Sequence, residues 1–354
     1  MATTEGALEG IAADAPGARA ALPRGVDFAP PRWLANPHLQ SILASSALRR
    51  LALRRAQREL DLRSEAHVLD CGAGVRLQGF LARQRVRERA HGLVVLLHGW
   101  EGSARSSYVV GTGARLLDDG FDVFRLNFRD HGDTHHLNRE LFHSCRIDEV
   151  VGAVRAVRDA FAASPVAVAG FSLGGNFALR VALRAADSVR YALAVCPVVS
   201  PAAGLFGLEE GFWIYQRYFL LKWRESLRRK RALFPEVDWF SAQDLASDLR
   251  GLTRALVLRH TDFASLEAYL DGYSIAGDRL RALAMPATIL TAADDPVIPV
   301  ADFRALQLPP QVELDIAEHG GHCGFLLDAT LRSFTSDYIA RRMQSHLAHD
   351  PPSA

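Results

Sequence analysis

Cysteine is scarce in this sequence. The 354 residues include only Cys71, Cys145, Cys196 and Cys323, which are far apart and form no Cys-x-x-Cys or Cys/His pair. This spacing argues against a disulfide framework and against a zinc site. The sequence therefore predicts a protein of a reducing compartment, the cytoplasm, that holds no metal.

Long apolar runs and a secretory signal are also missing. No uncharged apolar run approaches the roughly 18 residues that a membrane-spanning helix needs. The first residues are rich in Ala, Gly and Pro and carry an acidic residue where a signal peptide is basic. We interpret residues 1–25 as a disordered leader and predict that the protein does not span a membrane.

The charges nearly cancel. Lys and Arg together number 41 and Asp and Glu 40, which leaves a formal net charge of +1. No overall field would attract nucleic acid or an acidic partner. Nucleic-acid binding is therefore not predicted.

Apolar strand patterns alternate with helical ones along most of the chain, which indicates βαβ units and a parallel sheet buried on both faces. The predicted strands cover residues 93–100, 121–128, 165–171, 191–199, 286–299 and 311–318, and two leading strands cover 56–62 and 75–84. The alternation of strand and helix patterns stops after Pro201 and resumes near residue 286. We predict an α/β core of residues 26–200 and 285–348, with a helical lid insertion at 201–284.

A serine lies at the junction of a predicted strand and a predicted helix. Gly170-Phe171-Ser172-Leu173-Gly174 fits the Gly-x-Ser-x-Gly turn, whose small residues allow a sharp bend that holds a nucleophile at a helix N-terminus. The alternative interpretation of Ser172 is a helix N-cap. The strand–turn–helix context favours the nucleophile.

A serine nucleophile needs a base, and the base needs an orienting acid. On this type of turn the acid and then the histidine follow later in the chain. Asp294 and Asp295 end one predicted strand, and His322 lies in a glycine-rich loop after the next strand. His319 is the competing base. The order predicts a catalytic triad of Ser172, one of the two aspartates and His322.

Hydrolysis at an acyl carbon also needs donors for the oxyanion. The backbone N–H of the residue after the nucleophile, Leu173, is one candidate. The loop after the first core strand supplies a second, the N–H of Trp100. The side chain of His98, in the same loop, is interpreted as structural.

These motifs resemble the YheT-like branch of the α/β-hydrolase superfamily, which is related to eukaryotic α/β-hydrolase-domain esterases and lipases. The resemblance covers roughly residues 30 to 345. It rests on PPRWLANPHLQSIL, LLHGWEGS, LNFRDHGD, GFSLGGN, EEGFWIYQRYFL, AADDPVIP and EHGGHCGF.

The resemblance implies an α/β-hydrolase fold: a mostly parallel central sheet flanked by helices. It favours Asp295, the residue before Pro296, as the triad acid, with Asp294 as the alternative. It also implies an N-terminal arm packed on the core, with Trp33 buried and no direct catalytic role. The loop Asp130-His131-Gly132-Asp133 departs from the family pattern beside the expected active site, so substrate preference is expected to differ from that of better-known relatives.

Two further clusters allow other interpretations. The histidine-rich loop that holds His131, Asp133, His135, His136 and His143 lacks the helical spacing of a zinc protease, and we do not predict a metal there. Apolar residues of the insertion share one helical face ahead of a basic run, RRKR, at 228–231. These residues are Phe212, Tyr215, Phe219, Trp223 and Leu227. The face is predicted to pack on the core; the alternative is contact with a membrane surface.

The sequence as a whole predicts a serine hydrolase of carboxylic esters with medium or long acyl chains. Its substrate would be a small-molecule or lipid ester, and no cofactor is required. Thioester hydrolysis and acyl transfer use the same acyl-enzyme and remain alternatives, as does a non-catalytic binding protein on this fold. The oligomeric state is not predicted.

Overall fold

The structure, a computed structural model, describes residues 23–348. Residues 1–22 of the predicted leader lie outside the described residues. Its last residues are ordered, since Arg24 and Gly25 form a short strand that pairs with Asp315 and Ile316. The predicted disorder therefore does not extend to this pair.

One nine-stranded sheet forms the centre of the described chain. Its strands are β1 (Arg24–Gly25), β2 (Ser64–Asp70), β3 (Arg76–Ala82), β4 (Leu93–Leu97), β5 (Asp122–Leu126), β6 (Val166–Phe171), β7 (Tyr191–Val195), β8 (Ala287–Ala292) and β9 (Val312–Ala317). The spatial order is β1-β9-β8-β7-β6-β4-β5-β3-β2. The first seven strands in this spatial order, which end with β5, are each parallel to their neighbours. The last two are not: β3 pairs antiparallel with both β5 and β2.

The helices follow in chain order. They are α1 (Pro37–Ala44), α2 (Ala47–Ala52), α3 (Arg54–Leu62), α4 (Ser107–Asp118), α5 (Ile147–Phe161), α6 (Leu173–Arg184), α7 (Pro201–Glu210), α8 (Trp213–Leu233), α9 (Ala242–Ala246), α10 (Leu249–His260), α11 (Leu266–Gly272), α12 (Val300–Arg304) and α13 (Phe334–Leu347). No helix within residues 23–348 is long and apolar enough to cross a membrane.

The sheet is covered on both faces, as its continuously apolar strands predict. Every residue of β4 through β8 is buried. Helices α5 and α6 contribute to the apolar cluster on one face, and α4 and α13 to the cluster on the other. The prediction of a mostly parallel sheet flanked by helices is confirmed.

One predicted strand is wrong. Residues 56–62 lie in helix α3, of which only Leu60 is buried, and the strand β2 begins two residues after the helix ends. Arg, Ala, Gln, Glu and Leu, which make up most of this segment, are strong helix formers. An edge strand such as β2, buried at a single residue, has little apolar signal of its own.

The segment between β7 and β8 is helical. It contains α7 through α11, and its longest helix is α8, with 21 residues. The largely helical segment α7–α11 is called the lid below. Its apolar residues form a cluster of their own, centred on Trp223, Leu252 and Val257.

The N-terminal arm, residues 26–62, packs on the core, but Trp33 does not. Its side chain is 54% exposed, while that of Leu34 is completely buried against Leu326 and Leu331. A single 3-10 turn at 32–34 directs the two neighbours to different environments. The prediction of a buried Trp33 is therefore wrong, and Leu34 takes that role.

Candidate active site

Ser172 lies in a sharp turn between β6 and α6. Its backbone has φ 54° and ψ −119°, a strained conformation for a residue with a side chain. The Ser172 N–H donates to the carbonyl of Val195 at 2.9 Å, which ties the turn to the neighbouring strand. No side-chain capping bond is formed at this helix start, so Ser172 is not acting as an N-cap of α6.

The two flanking glycines are required by space. A Cβ atom on Gly170 would lie 2.0 Å from the carbonyl oxygen of Gly174, and one on Gly174 would lie 2.4 Å from the backbone of Leu97 and His98. Both contacts are with backbone, which cannot move aside cheaply. The motif therefore allows the strand, the turn and the loop after β4 to meet.

The structure brings together the three residues predicted as a triad. The Oγ atom of Ser172 lies 2.9 Å from Nε2 of His322, and Nδ1 of His322 lies 2.9 Å from Oδ2 of Asp295. The Asp295 side chain is completely buried and that of His322 is 13% exposed. These distances suit an imidazole that donates to the carboxylate and accepts from the hydroxyl.

The pKa of His322 is controlled by its contact with Asp295. Burial by itself would lower the pKa of the imidazole, but the Asp295 carboxylate stabilises its charged form and raises the pKa to about 9. Asp295 also accepts from the backbone N–H groups of Val297 and Ile298, at 2.8 and 3.0 Å, through its other oxygen. One carboxylate thus contacts the histidine and shapes the turn after β8.

Asp294 and His319 form a separate, more exposed pair. The Oδ2 atom of Asp294 lies 3.4 Å from Nδ1 of His319, and Oδ1 accepts from the N–H of Gly321 at 2.9 Å. The His319 side chain is 39% exposed. Partial burial raises the pKa of Asp294 despite these bonds. Ser172 is hydrogen-bonded to His322 and His322 to Asp295, so the geometry favours Asp295 over Asp294 and His322 over His319.

The two predicted oxyanion donors lie beside Ser172. Leu173 is the first residue of α6, so its N–H has no acceptor within the helix. The loop before Trp100 passes close to the nucleophile, since a Cβ atom on Gly99 would lie 3.3 Å from Cβ of Ser172. Trp100 lines both cavities that reach Ser172.

Two buried neutral histidines support this loop. His98 contacts the Gly99 carbonyl through Nδ1 at 2.7 Å and accepts from the N–H of Phe128 through Nε2. His131 accepts from the N–H of Glu101 at 3.1 Å through Nε2. Burial lowers the pKa of both imidazoles, that of His131 to about 4, so each can accept with one nitrogen at neutral pH. The structural role predicted for His98 agrees with these bonds, whereas sequence reasoning missed the support from His131.

The N-terminal arm reaches the loop that carries His322, which sequence reasoning did not predict. Ser41 Oγ accepts from the backbone N–H of His322 at 2.8 Å. The buried amide of Gln40 accepts from the N–H of Leu326 and donates to its carbonyl. Gly321 fits because a Cβ there would lie 2.3 Å from the Pro37 carbonyl. The signal in the sequence was the Asn-Pro-His-Leu-Gln run itself.

Two cavities of different character meet at Ser172. The larger, of about 480 Å³, is lined largely by polar and charged side chains from α2, the loops after β4 and β5, and α8. The smaller, of about 120 Å³, is lined mostly by apolar side chains of the lid and the loop after β8. Trp100, Ser172, Phe219 and His322 line both. We call them the polar cavity and the apolar cavity.

The aromatic face of α8 turns inward. The Phe219 ring stacks on Trp100 at 5.1 Å between centroids, and Trp223 meets the same indole edge-on at 5.3 Å. Tyr215 and Leu227 are buried, whereas Phe212 is 37% exposed. The face is therefore engaged by the protein. The basic run after it is not wholly solvated, as Lys230 is buried.

One group of possible metal ligands overlaps the candidate catalytic residues. Among residues 23–348, one group of three converges: Cys196, His322 and Cys323, whose ligand atoms lie within 4.8 Å of one another. Both ring nitrogens of His322 are engaged by Ser172 and Asp295, so a metal there would have to displace one of them.

The histidine-rich loop does not converge on one point. His131 and His135 line the polar cavity, His143 lines the apolar one, and His135 bonds to Ser226.

Comparison with known proteins places the chain in a family. The family model described as the alpha/beta hydrolase fold matches residues 92–329. The chain is 28% identical over 320 residues to the Escherichia coli (strain K12) protein named "Putative esterase YheT", covering 85% of this chain and 87% of that protein.

Solved structures of low sequence identity show the same fold. An esterase of Pyrococcus furiosus is 16% identical with a TM-score of 0.53, covering 82% of this chain and 93% of that one. Est1E from Butyrivibrio proteoclasticus is 18% identical with a TM-score of 0.51, covering 80% and 99%. With the strand–turn–helix at Ser172 and the sheet order described above, the match over residues 92–329 means that this chain belongs to the α/β-hydrolase fold family.

Proposed function

We propose that the protein is a serine hydrolase that cleaves carboxylic esters through an acyl-enzyme. The observation that carries the proposal is the chain of contacts from Ser172 Oγ through His322 to Asp295, at 2.9 Å each. The esterase names of similar proteins point to the same class of substrate.

The reaction follows from the positions of these groups. His322 removes the proton of Ser172 as Oγ attacks the ester carbonyl, and Asp295 stabilises the imidazolium. The N–H groups of Leu173 and Trp100 stabilise the oxyanion. His322 then gives the proton to the leaving alcohol. Water, activated by the same imidazole, releases the acid and regenerates Ser172.

The apolar cavity is the proposed acyl site, and its size favours medium chains. It is lined by Leu205, Leu208, Trp223 and Ile298, among others, and starts at Ser172. Its volume of about 120 Å³ is smaller than the roughly 300–1,000 Å³ of pockets that enclose drug-sized ligands. We expect hydrolysis to peak between butyrate and octanoate and to decline toward palmitate.

A fluorophosphonate probe and p-nitrophenyl esters from acetate to palmitate test the proposal. Wild type should be labelled and active, and Ser172→Ala should lose labelling and at least about 10⁴-fold in kcat while staying folded. Ser164→Ala is the matched control, because Ser164 precedes β6 at the end opposite Ser172, where its hydroxyl donates to the Ala90 carbonyl. Labelling at another serine with activity intact would refute the proposal.

The same series separates the alternatives. Acyl-CoA thioesters, compared with oxygen esters of equal chain length, test thioester hydrolysis, and an added alcohol acceptor tests acyl transfer. A protein that binds esters without labelling or turnover would be a non-catalytic member of the fold.

Membrane contact through the lid remains a prediction. The inward face of α8 packs on the protein, so the apolar side chains of the lid that could contact a membrane are the exposed ones, which include Phe206, Trp213 and Leu221 at 53–62% exposure. Sedimentation with anionic phosphatidylglycerol vesicles tests it. Binding that is lost in Trp213→Ser would support this contact, and absence of binding would refute it.

A further inference from the structure

The two cavities at Ser172 offer different chemistry to the two halves of an ester. Cleavage at Ser172 separates an acyl group from an alcohol, so a bound ester must extend away from the nucleophile on two sides. The apolar cavity suits the acyl chain. The polar cavity, four times as large, is then the site of the alcohol.

The polar cavity contains cations that the protein does not neutralise. Four basic side chains line it: Arg50, Arg105, Lys222 and Arg229. Arg229 pairs with Asp133 at 2.9 Å and Arg105 with Asp61 at 3.7 Å.

Among residues 23–348, Lys222 and Arg50 form no ion pair with a carboxylate. Lys222 Nζ donates to the backbone carbonyl of Glu101 at 3.0 Å, and Arg50 donates to that of Ser45 at 3.0 Å.

The acidic side chains of the cavity do not offset these two charges. Asp130 is buried and pairs with the buried Lys230 at 2.7 Å. Glu225 lines the cavity but lies 3.7 Å from Arg228, a residue that does not line it. Burial raises the pKa of Glu101 to about 8 against the opposite effect of the nearby Lys222 ammonium, so this carboxyl is a weaker counter-ion than an ordinary glutamate.

Lys222 contacts the loop that carries a proposed oxyanion donor. The carbonyl that Lys222 contacts belongs to Glu101, the residue after the proposed oxyanion donor Trp100. Lys222 also stands 5.1 Å from the ring of Tyr218, which lines the same cavity. Helix α8 carries both Lys222, which lines the polar cavity, and Phe219 and Trp223, which pack on Trp100.

We propose that the substrate is an ester whose alcohol carries an anionic group, a carboxylate or a phosphate, which Lys222 and Arg50 bind in the polar cavity. This inference rests on the proposed function. The reaction balances as ester plus water giving a carboxylic acid and the anionic alcohol. Water supplies the hydroxyl to the acyl carbon and the proton to the alcohol oxygen.

Matched substrates test the charge. Octanoylglycerol is compared with octanoylglycerol phosphate, and O-octanoyl-lactamide with O-octanoyl-lactate, so that each pair differs in an anion on the alcohol. We expect kcat/KM to be about tenfold higher or more for the anionic member of at least one pair, the scale of a charge-assisted contact in a partly open site. Comparing the pairs distinguishes a phosphate site from a carboxylate site. The advantage should shrink as salt rises to about 0.5 M, since salt screens partly exposed charges.

Variants identify the residues. Lys222→Gln combined with Arg50→Gln should abolish most of the anionic advantage. Arg231→Gln, an exposed change on the same helix outside both cavity linings, should leave the ratio of the two rates intact. Monoethyl suberate, which carries a carboxylate at the far end of its acyl chain, is compared with the neutral ethyl octanoate to test the opposite orientation.

Equal kcat/KM for both members of both pairs, or a preference for monoethyl suberate, would overturn the inference. So would an anionic advantage that survives in the double variant. Hydrolysis of octanoylglycerol and probe labelling of Ser172 test the proposed function separately. If those persist without an anionic advantage, only this further inference fails.

Discussion

The side chain of Ser41 holds the backbone of His322: its Oγ accepts from the His322 N–H at 2.8 Å, across 281 residues of sequence. Ser41 itself is fixed because its hydroxyl donates to the Pro37 carbonyl at 2.7 Å. Ser41 thus holds in place the loop that carries the proposed base. The conspicuous Asn-Pro-His-Leu-Gln run, which ends at residue 40, leads directly into this contact.

Ser41→Ala should lower kcat about tenfold and change KM little. The substitution leaves the His322 N–H without its acceptor, at a cost of about 1–3 kcal/mol, and releases the loop that aims the imidazole. Ser41→Thr, which keeps the hydroxyl, should restore most of the rate. Turnover is measured per site labelled by fluorophosphonate, so that unfolded protein does not count.

Ser46→Ala is the control for Ser41→Ala. Ser46 caps α2 by accepting from the Arg49 N–H, and its loss should cost about 1 kcal/mol of stability with kcat unchanged. If Ser41→Ala behaves in the same way, the residue has a purely structural role.

His322→Ala should reduce kcat by orders of magnitude, and His319→Ala should reduce it little. Only His322 contacts Ser172, while His319 pairs with Asp294 near the surface. Steady-state rates with p-nitrophenyl butyrate measure the difference. Similar losses in the two variants would mean that the base is wrongly assigned.

Asp295→Asn should stay folded and lose about 10⁴-fold in kcat, as expected when the histidine is held in the wrong tautomer. The asparagine carbonyl can still accept from Val297 and Ile298, so the turn is preserved. Asp294→Asn should remain active but melt at a lower temperature, because it weakens the contact with His319. Kinetics and thermal melts of both variants show which aspartate orients His322. A near-normal rate in Asp295→Asn would assign that role to Asp294.

The pH dependence should show a base with a raised pKa. His322 must be unprotonated to accept the serine proton, and Asp295 raises its pKa to about 9 against the effect of burial. We therefore expect kcat/KM for a neutral ester to rise about tenfold per pH unit and to level off near pH 9. In Asp295→Asn the residual activity should level off at lower pH. A wild-type plateau that begins below pH 6.5 would contradict this assignment.

Features that depend on neighbours in sequence were predictable from the sequence alone. The turn at Ser172 follows from Gly170 and Gly174, which allow the backbone to bend where a strand pattern becomes a helical one. The strands β4 through β8 are largely apolar, as burial on both faces of the sheet requires. Asp295 and His322 follow the successive strands β8 and β9.

Features that depend on distant contacts were decided only by the tertiary structure. The burial of Leu34 rather than Trp33 depends on Leu326 and Leu331, almost 300 residues away. Residues 56–62 are a different case: their helix agrees with the helix propensity of their own side chains, so the local sequence already favoured it over a strand.

The site divides in the same way. The sequence by itself identified the candidate nucleophile, acid and base, since each follows a strand and the ends of parallel strands meet at one edge of the sheet. Only the tertiary structure decided that Asp295 rather than Asp294 contacts His322, that Ser41 holds the base, and that Lys222 faces a polar cavity. The physical reason is that these contacts join segments brought together by packing, and local sequence patterns carry no information about such distances.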